Sequence, residues 1–243
     1  MRTNDAASNP APAVPIPATE DALRRECDTL REEAAALRRE LERVGEDRAA
    51  LQHRIRNSLG AIRSIARRTA VTSTDLDDYA AHLDGRIGAF ARVQAAVIRE
   101  PTAGLDLAQL VADELLSCSA REGEGVLIEG PEIRLRSKPA ETLALTVHEL
   151  ATNAVKYGAL ACPGGQLTVT WRAEDPGGGH PWLILDWIEA GVPDPKPSRR
   201  GFGTDLLEKT LPYDLKAEVS LVFGTNGVRC TIALPMTAQT VAA

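Results

Sequence analysis

From Thr19 onward, apolar side chains recur at alternating intervals of four and three: Leu23, Cys27, Leu30, Ala34, Leu37, Leu41 and Val44, then Leu51 and Ile55. This is the heptad spacing of a helix whose apolar stripe meets a partner helix. Dense Glu and Arg on the other faces favour a self-associating coiled coil over a lone amphipathic helix. Arg48 falls on the seam, where a charge lowers stability but fixes register and partner number. The seam continues through Leu59, Ile62 and Ala66, so the coiled coil and the helix after it read as one rod. Ser73-Thr74-Asp75 offers a new helix start, and Leu76, Tyr79, Ala80, Leu83, Ile87, Phe90, Ala91 and Val97 line a second helix ending before Pro101. Two helices joined by a short turn make an antiparallel hairpin, and two such hairpins in a dimer make a four-helix bundle.

Beyond the Pro101-Thr102-Ala103-Gly104 linker the pattern alternates in kind. Residues 105–120 read as a helix, 126–129 and 133–135 as short strands, and 137–158 as a long helix with Pro139 in its first turn. Residues 166–172, 182–188, 217–223 and 228–234 alternate or run apolar as strands, with a helix near 204–211 between them. Gly177-Gly178-Gly179 and Gly224-Thr225-Asn226-Gly227 read as turns. The expected class is therefore multidomain, α and α+β. A Pro- and Ala-rich flexible tail (1–18) precedes a coiled coil (19–50) and a dimerising helical hairpin (51–100). An α/β sandwich with a mostly antiparallel sheet and helices on one face (105–236) precedes a short tail (237–243).

Composition narrows the partners. The 243 residues are 44% hydrophobic, enough for a substantial core, and the formal charge of −6 argues against a sequence-independent grip on nucleic acid. Cys27, Cys118, Cys162 and Cys230 lack the paired spacing of a metal site or disulfide framework, and read as reduced thiols in a cytoplasmic protein. No apolar run approaches the roughly 20 residues that cross a bilayer, and no signal-peptide pattern opens the chain, so membrane insertion is not expected.

Chemistry concentrates in four places. In Leu51-Gln52-His53-Arg54-Ile55-Arg56-Asn57-Ser58-Leu59, His53 lies two residues after a seam position and therefore projects outward. A surface histidine without a role is the alternative reading. In His148-Glu149-Leu150-Ala151-Thr152-Asn153-Ala154-Val155-Lys156-Tyr157-Gly158, Glu149 and Asn153 share a helix face, as do Asn153 and Lys156. A carboxylate, an amide oxygen and an ammonium together suit a hydrated Mg²⁺ with attached phosphates, although such a trio is commonly a solvated helix edge. Asp186-Trp187-Ile188-Glu189-Ala190-Gly191 ends a strand. Arg200-Gly201-Phe202-Gly203-Thr204 opens a helix whose backbone amides can approach an anion.

In that order these pieces resemble the ATP-binding domain shared by histidine kinases and gyrase, and more narrowly the HWE family of histidine kinases. His148 and Trp187-Ile188-Glu189 look like the residues that name the family, and His53-Arg54-Ile55-Arg56-Asn57 resembles its phosphoacceptor box. The resemblance covers about residues 50 to 236. It implies ATP and Mg²⁺ as cofactors, residues 51–100 as the dimerisation and phosphotransfer region, and 105–236 as the catalytic domain. His53 would be the phosphoacceptor; the resemblance does not supply its proton acceptor, for which Glu149, in the ATP-binding domain, is the candidate. Asn153 would hold Mg²⁺, Glu189 would accept the adenine amino group, and Gly201 and Gly203 would shape the phosphate loop. His148, Lys156, Tyr157, Trp187, Gly191, Arg200 and Thr204 complete the implied nucleotide site. Residues 191–200 would form an ATP lid, with Arg199 and Arg200 meeting phosphate oxygens.

Two features depart from the family pattern. Gly191-Val192-Pro193 stands where Gly-Gly-Pro is common, and Arg92-Val93-Gln94-Ala95 lacks the family's second histidine. Arg54 follows the phosphoacceptor where many histidine kinases carry an acid, and a permanently protonated guanidinium cannot accept a proton. The implied function is autophosphorylation of His53 in a homodimer and transfer to an aspartate of a response regulator. The basic cluster Arg54, Arg56, Arg63, Arg67 and Arg68 would suit the acidic pocket of its receiver domain. The coiled coil is where an upstream signalling partner would act. A non-catalytic phosphotransfer or scaffold protein with a degenerate nucleotide site is one alternative, which ATP binding separates. A serine kinase of the anti-sigma type is the other, marked by acid-stable label.

Overall fold

The structure, a computed structural model, describes residues 17–100, 103–120, 123, 125–175, 177, 181–196 and 201–242. The chain divides into two units, Met1–Gly60 and Ala61–Ala243. Helix α1 (Pro17–Thr72) contributes to both and has no break where coiled coil was expected to pass into hairpin. It starts two residues before Thr19. In the first unit its seam residues stand open to solvent, Leu37 at 65% and Leu41 at 69% exposure, because a single helix offers them nothing to pack against.

In the second unit the last turns of α1 meet α2 (Leu76–Arg99). Asp75 caps α2 by accepting from Asp78 N–H at 2.8 Å, while Asp78 accepts from Thr74 N–H at 3.1 Å. This reciprocal pairing satisfies two of the orphan donors of a helix start. Ile65, Ala89, Phe90, Leu145, Phe202 and Leu206 form one apolar cluster around this hairpin.

A two-residue strand, β1 (Leu105–Asp106), leads into α3 (Leu107–Ser117), whose N-terminus Asp106 caps. Residues 105–120 are thus a strand and a shorter helix, which ends where Ser119 turns left-handed at φ 65°. β2 (Val126–Glu129), β3 (Arg134–Leu135) and α4 (Ser137–Tyr157) follow, with Pro139 in the first turn of α4, where no N–H is needed. Then come β4 (Gln166–Glu174), β5 (Trp182–Ala190), β6 (Glu218–Phe223) and β7 (Gly227–Pro235). The sheet order is β2-β4-β5-β7-β6, parallel only at β2-β4. The mostly antiparallel sheet expected from the sequence is what forms.

Alternate residues of the central strands point inward: Leu167, Val169 and Trp171 on β4, Leu183, Leu185 and Trp187 on β5, Cys230, Ile232 and Leu234 on β7. They pack on Leu143, Ala144, Val147, Leu150, Ala151 and Ala154 of α4, giving one helical layer on one sheet face. The helix expected at 204–211 is longer and irregular. α5 (Phe202–Asp205) passes through a π-helical turn (Leu206–Thr210) into α6 (Leu211–Leu215). Leu211 N–H reaches Leu206 O, and Pro212, which has no N–H to donate, follows at once.

Gly224 to Gly227 closes the β6–β7 hairpin. Residues 237–242, expected as a tail, are tied down. Arg136 N–H donates to Thr240 O, Ala242 N–H to Arg134 O, and Val241 bridges Leu135. Six residues are too few to show a period, and it is the edge of β3 and the core beneath Val241 that hold them. Among the described residues no helix is long and apolar enough to cross a membrane.

Candidate functional site

His53 is exposed on α1. Its Nδ1 lies 3.3 Å from Asn57 Nδ2, one helical turn on. Leu51 and Ile55 are equally open in the single chain, at 55% and 50%, so exposure alone does not set His53 apart. Its place off the seam does, since a seam partner would cover Leu51 and Ile55 and leave the imidazole free.

Glu189 is the penultimate residue of β5, the strand flanked on both sides by β4 and β7. It is buried, and both carboxylate oxygens are engaged: Oε2 accepts from Ala159 N–H and Oε1 from Trp187 Nε1–H, each at 2.9 Å. Trp187 is fully buried in the core. The carboxylate fits there because Gly158, just past α4, has no side chain; a Cβ at that position would fall on Glu189 Oε2. Gly191 takes φ 80°, a conformation open to glycine, and brings the chain end of β5 against Gly165.

The last turn of α4 carries Asn153, Lys156 and Tyr157, all exposed. Lys156 Nζ lies 2.9 Å from His82 Nε2 on α2, and His82 Nδ1 lies 3.0 Å from Asp78 Oδ1. An ammonium only donates, so Nε2 accepts and Nδ1 carries the proton that faces Asp78.

Glu149 turns away from that edge. Arg86 of α2 grips it with both arms, Nε to Oε1 at 2.7 Å and Nη2 to Oε2 at 2.9 Å. Arg86 Nη1 also donates to Thr69 Oγ1 at 2.9 Å, and its guanidinium lies 4.0 Å over the Phe202 ring. A Cβ at Gly203 would come within 3.2 Å of Glu149 Cβ, so the start of α5 rests on this carboxylate.

His148 also faces α2. A Cβ at Gly85 would stand 2.5 Å from its Nε2, and its Nδ1 lies 3.3 Å from the buried Glu114 Oε2 of α3. Arg92 donates to the same carboxylate at 2.9 and 2.5 Å. Burial disfavours charge on His148, but hydrogen bonds to Cys118 and Glu114 outweigh it and raise the imidazole to about 9.

The sequence-derived set therefore falls into two groups. Trp187, Glu189 and Gly191 at the end of β5 adjoin the last turn of α4 with Asn153, Lys156 and Tyr157. His148 and Glu149 point into the contact with α2 and α3, with Gly201, Gly203 and Thr204 at the neighbouring start of α5. Arg199 and Arg200 lie outside the described residues. Among the described residues, no group of three or more His, Cys, Asp or Glu is arranged to hold a metal.

Arg86, Arg92, Glu114 and Cys118 were not singled out from sequence. A signal for two of them was present. Arg86 lies three after Leu83 and four before Phe90, and Glu114 lies four after Leu110, so each puts a charge on an apolar stripe.

Residues 50–132 match the family model described as HWE histidine kinase. A blue-light-activated histidine kinase of Brucella anthropi is 31% identical over 190 residues, covering 78% of this chain and 38% of that protein. The Brucella ovis counterpart is 30% identical over 191 residues, covering 78% and 39%. The chain thus spans well under half the length of these relatives. The solved blue-light activated histidine kinase of Erythrobacter litoralis aligns with a TM-score of 0.52 at 19% identity, covering 79% of this chain and 59% of that one, a likeness of fold.

Proposed function

The chain belongs to the HWE histidine kinase family, and from that premise we propose that it is an ATP-dependent protein kinase that phosphorylates its own His53. The phosphoryl group then passes to an aspartate of a response-regulator receiver domain, in the cytoplasm and from a homodimer.

The observation that carries this reading is Glu189, a buried carboxylate fixed by Ala159 and Trp187 at the end of α4. Each of its oxygens has a second lone pair, so it can still accept from an exocyclic amine. Adenine fits this donor requirement. Asn153, exposed on the neighbouring turn, offers an amide oxygen suited to Mg²⁺, which keeps most of its ligands as water and phosphate. Mg-ATP, when bound, supplies the γ-phosphoryl group. The protein's part is to position it and to stabilise the charge that develops in transfer.

At His53, Asn57 can set the tautomer. In the structure the Asn57 amide nitrogen faces Nδ1, which then accepts; with the amide turned over, its oxygen accepts Nδ1–H and leaves the Nε2 lone pair free to attack. Glu149, the sequence candidate for proton acceptor, has both oxygens on Arg86, and serving in that role requires this pair to open.

The test is incubation with Mg-ATP labelled on the γ-phosphate. Wild type should acquire acid-labile label that His53→Gln lacks, and should pass it to a receiver domain. Label persisting in His53→Gln, or label stable to acid, overturns the assignment.

A further inference from the structure

We propose that Cys118 is a thiol-modification site, reactive toward hydroperoxides and other soft electrophiles and activated by an imidazole–carboxylate–guanidinium chain running from His148 through Glu114 to Arg92. No step of the kinase chemistry uses this cluster.

Cys118 closes the C-terminal end of α3 and is half-buried. Its Sγ lies 3.9 Å from His148 Nδ1 and 3.8 Å from Thr152 Oγ1, both on α4, and 3.9 Å from Ser117 Oγ. His148 Nδ1 faces Glu114 Oε2 at 3.3 Å, and Glu114 takes both arms of Arg92. Arg92 Nη2 also reaches Ser117 Oγ at 3.2 Å. The charged groups facing the pair are thus Arg92 from α2 and Glu114 from α3, with Gly85 of α2 closing the far side of the ring.

Arg92 and Glu114 balance one another, so a neutral His148 is free to take the Cys118 proton on Nδ1, and the transfer leaves a thiolate beside an imidazolium with no change in the net charge of the cluster. The same pairing activates nucleophilic cysteines in general. Burial pushes the Cys118 thiol up, but the His148, Thr152 and Ser117 contacts outweigh it and bring the thiol below its ordinary value. Cys230 supplies the contrast: buried in the sheet core, it is pushed up to about 12.

With a hydroperoxide the reaction balances without further reagents. The thiolate attacks the outer peroxide oxygen, an S–O bond forms as the O–O bond breaks, and sulfur gives up two electrons. The leaving alkoxide or hydroxide takes the proton the thiol gave up, so thiol and hydroperoxide become sulfenic acid and alcohol or water. The new oxygen enters the contact with Thr152, the residue before Asn153, so oxidation would reach α4 beside the proposed metal ligand. That consequence rests on the kinase reading; the reactivity of Cys118 does not.

The experiment measures labelling rates in the full-length protein by mass spectrometry. Iodoacetamide is one probe, and hydrogen peroxide followed by a sulfenic-acid trap is the other. Cys162, also half-buried, is the internal reference. At neutral pH Cys118 should react at least about tenfold faster than Cys162, with a rate that flattens at lower pH than the Cys162 rate. His148→Gln should abolish the difference. The pH profile of the unmutated protein gives an answer even if that variant folds poorly. A Cys118 rate that matches or falls below that of Cys162 across the pH range overturns the proposal, as does an advantage that survives in folded His148→Gln.

Discussion

His148 shows how a single side chain takes its chemistry from its neighbours. Its sequence position, one before Glu149 on a helix with polar residues further on, says nothing of a buried carboxylate from α3. That carboxylate and Cys118 hold the imidazolium in place, so the folded protein keeps a proton that the unfolded chain releases above about pH 6.5. The resulting stabilisation is complete below that value and is lost as pH rises through about 9. The lowered Cys118 thiol reflects the same thiolate–imidazolium contact seen from the sulfur, and that part of the interaction is lost as pH falls through the lowered thiol value. Both contributions depend on a charged His148. The stability advantage of wild type over His148→Gln, read from urea midpoints, should therefore be larger near pH 6 than near pH 9.5, on the far side of the folded value. An advantage independent of pH would contradict this account.

At the scale of elements, α2 is fixed to α4 by a charged pair as well as by apolar packing. That pair, Arg86–Glu149, is buried, with side chains 4% and 12% exposed. Its two parallel hydrogen bonds need the planar fork of a guanidinium. Arg86→Ala leaves Glu149 without its partner among apolar neighbours and should cost about 3 kcal/mol or more. Arg86→Lys keeps the charge without the fork and should lose less. Equilibrium denaturation of both variants checks this, and a loss below about 1 kcal/mol for Arg86→Ala would mean the pair has no such weight. This contact was hard to read in sequence because Arg86 and Glu149 are 63 residues apart. Periodicity reports which face of each helix is apolar, and it cannot report which two faces meet. Residues 237–242 were missed for a related reason, since their order comes from the edge of β3 rather than from any pattern of their own.

For the whole molecule, the seam on α1 is the dominant unsatisfied feature. Leu23, Leu30, Leu37, Leu41, Val44, Leu51, Ile55 and Leu59 are each at least half exposed in the single chain. A continuous stripe of this kind is stable in water when a second copy covers it. Sedimentation equilibrium should find wild type as a dimer, and the double variant Leu37→Asp/Leu41→Asp should shift it to monomer while α2 and the sheet domain keep their unfolding midpoint. A monomeric wild type at micromolar concentration would remove the coiled-coil assignment.

The sequence alone determined what periodicity and local chemistry can carry. This includes the single long helix, the second helix with its Asp75 cap, the strand set and one-sided helical layer, and the ordered motifs that point to a histidine kinase. Each depends on residues within a few positions of one another or on a repeat. The tertiary structure decided which of the motif residues stand together. It placed Glu189 between Ala159 and Trp187 and turned Glu149 onto Arg86. It also set His148 beside Cys118 and Glu114, away from the nucleotide edge. Those outcomes depend on contacts between distant elements in a dense core, where one absent Cβ, as at Gly158 or Gly85, decides whether a carboxylate or an imidazole has room.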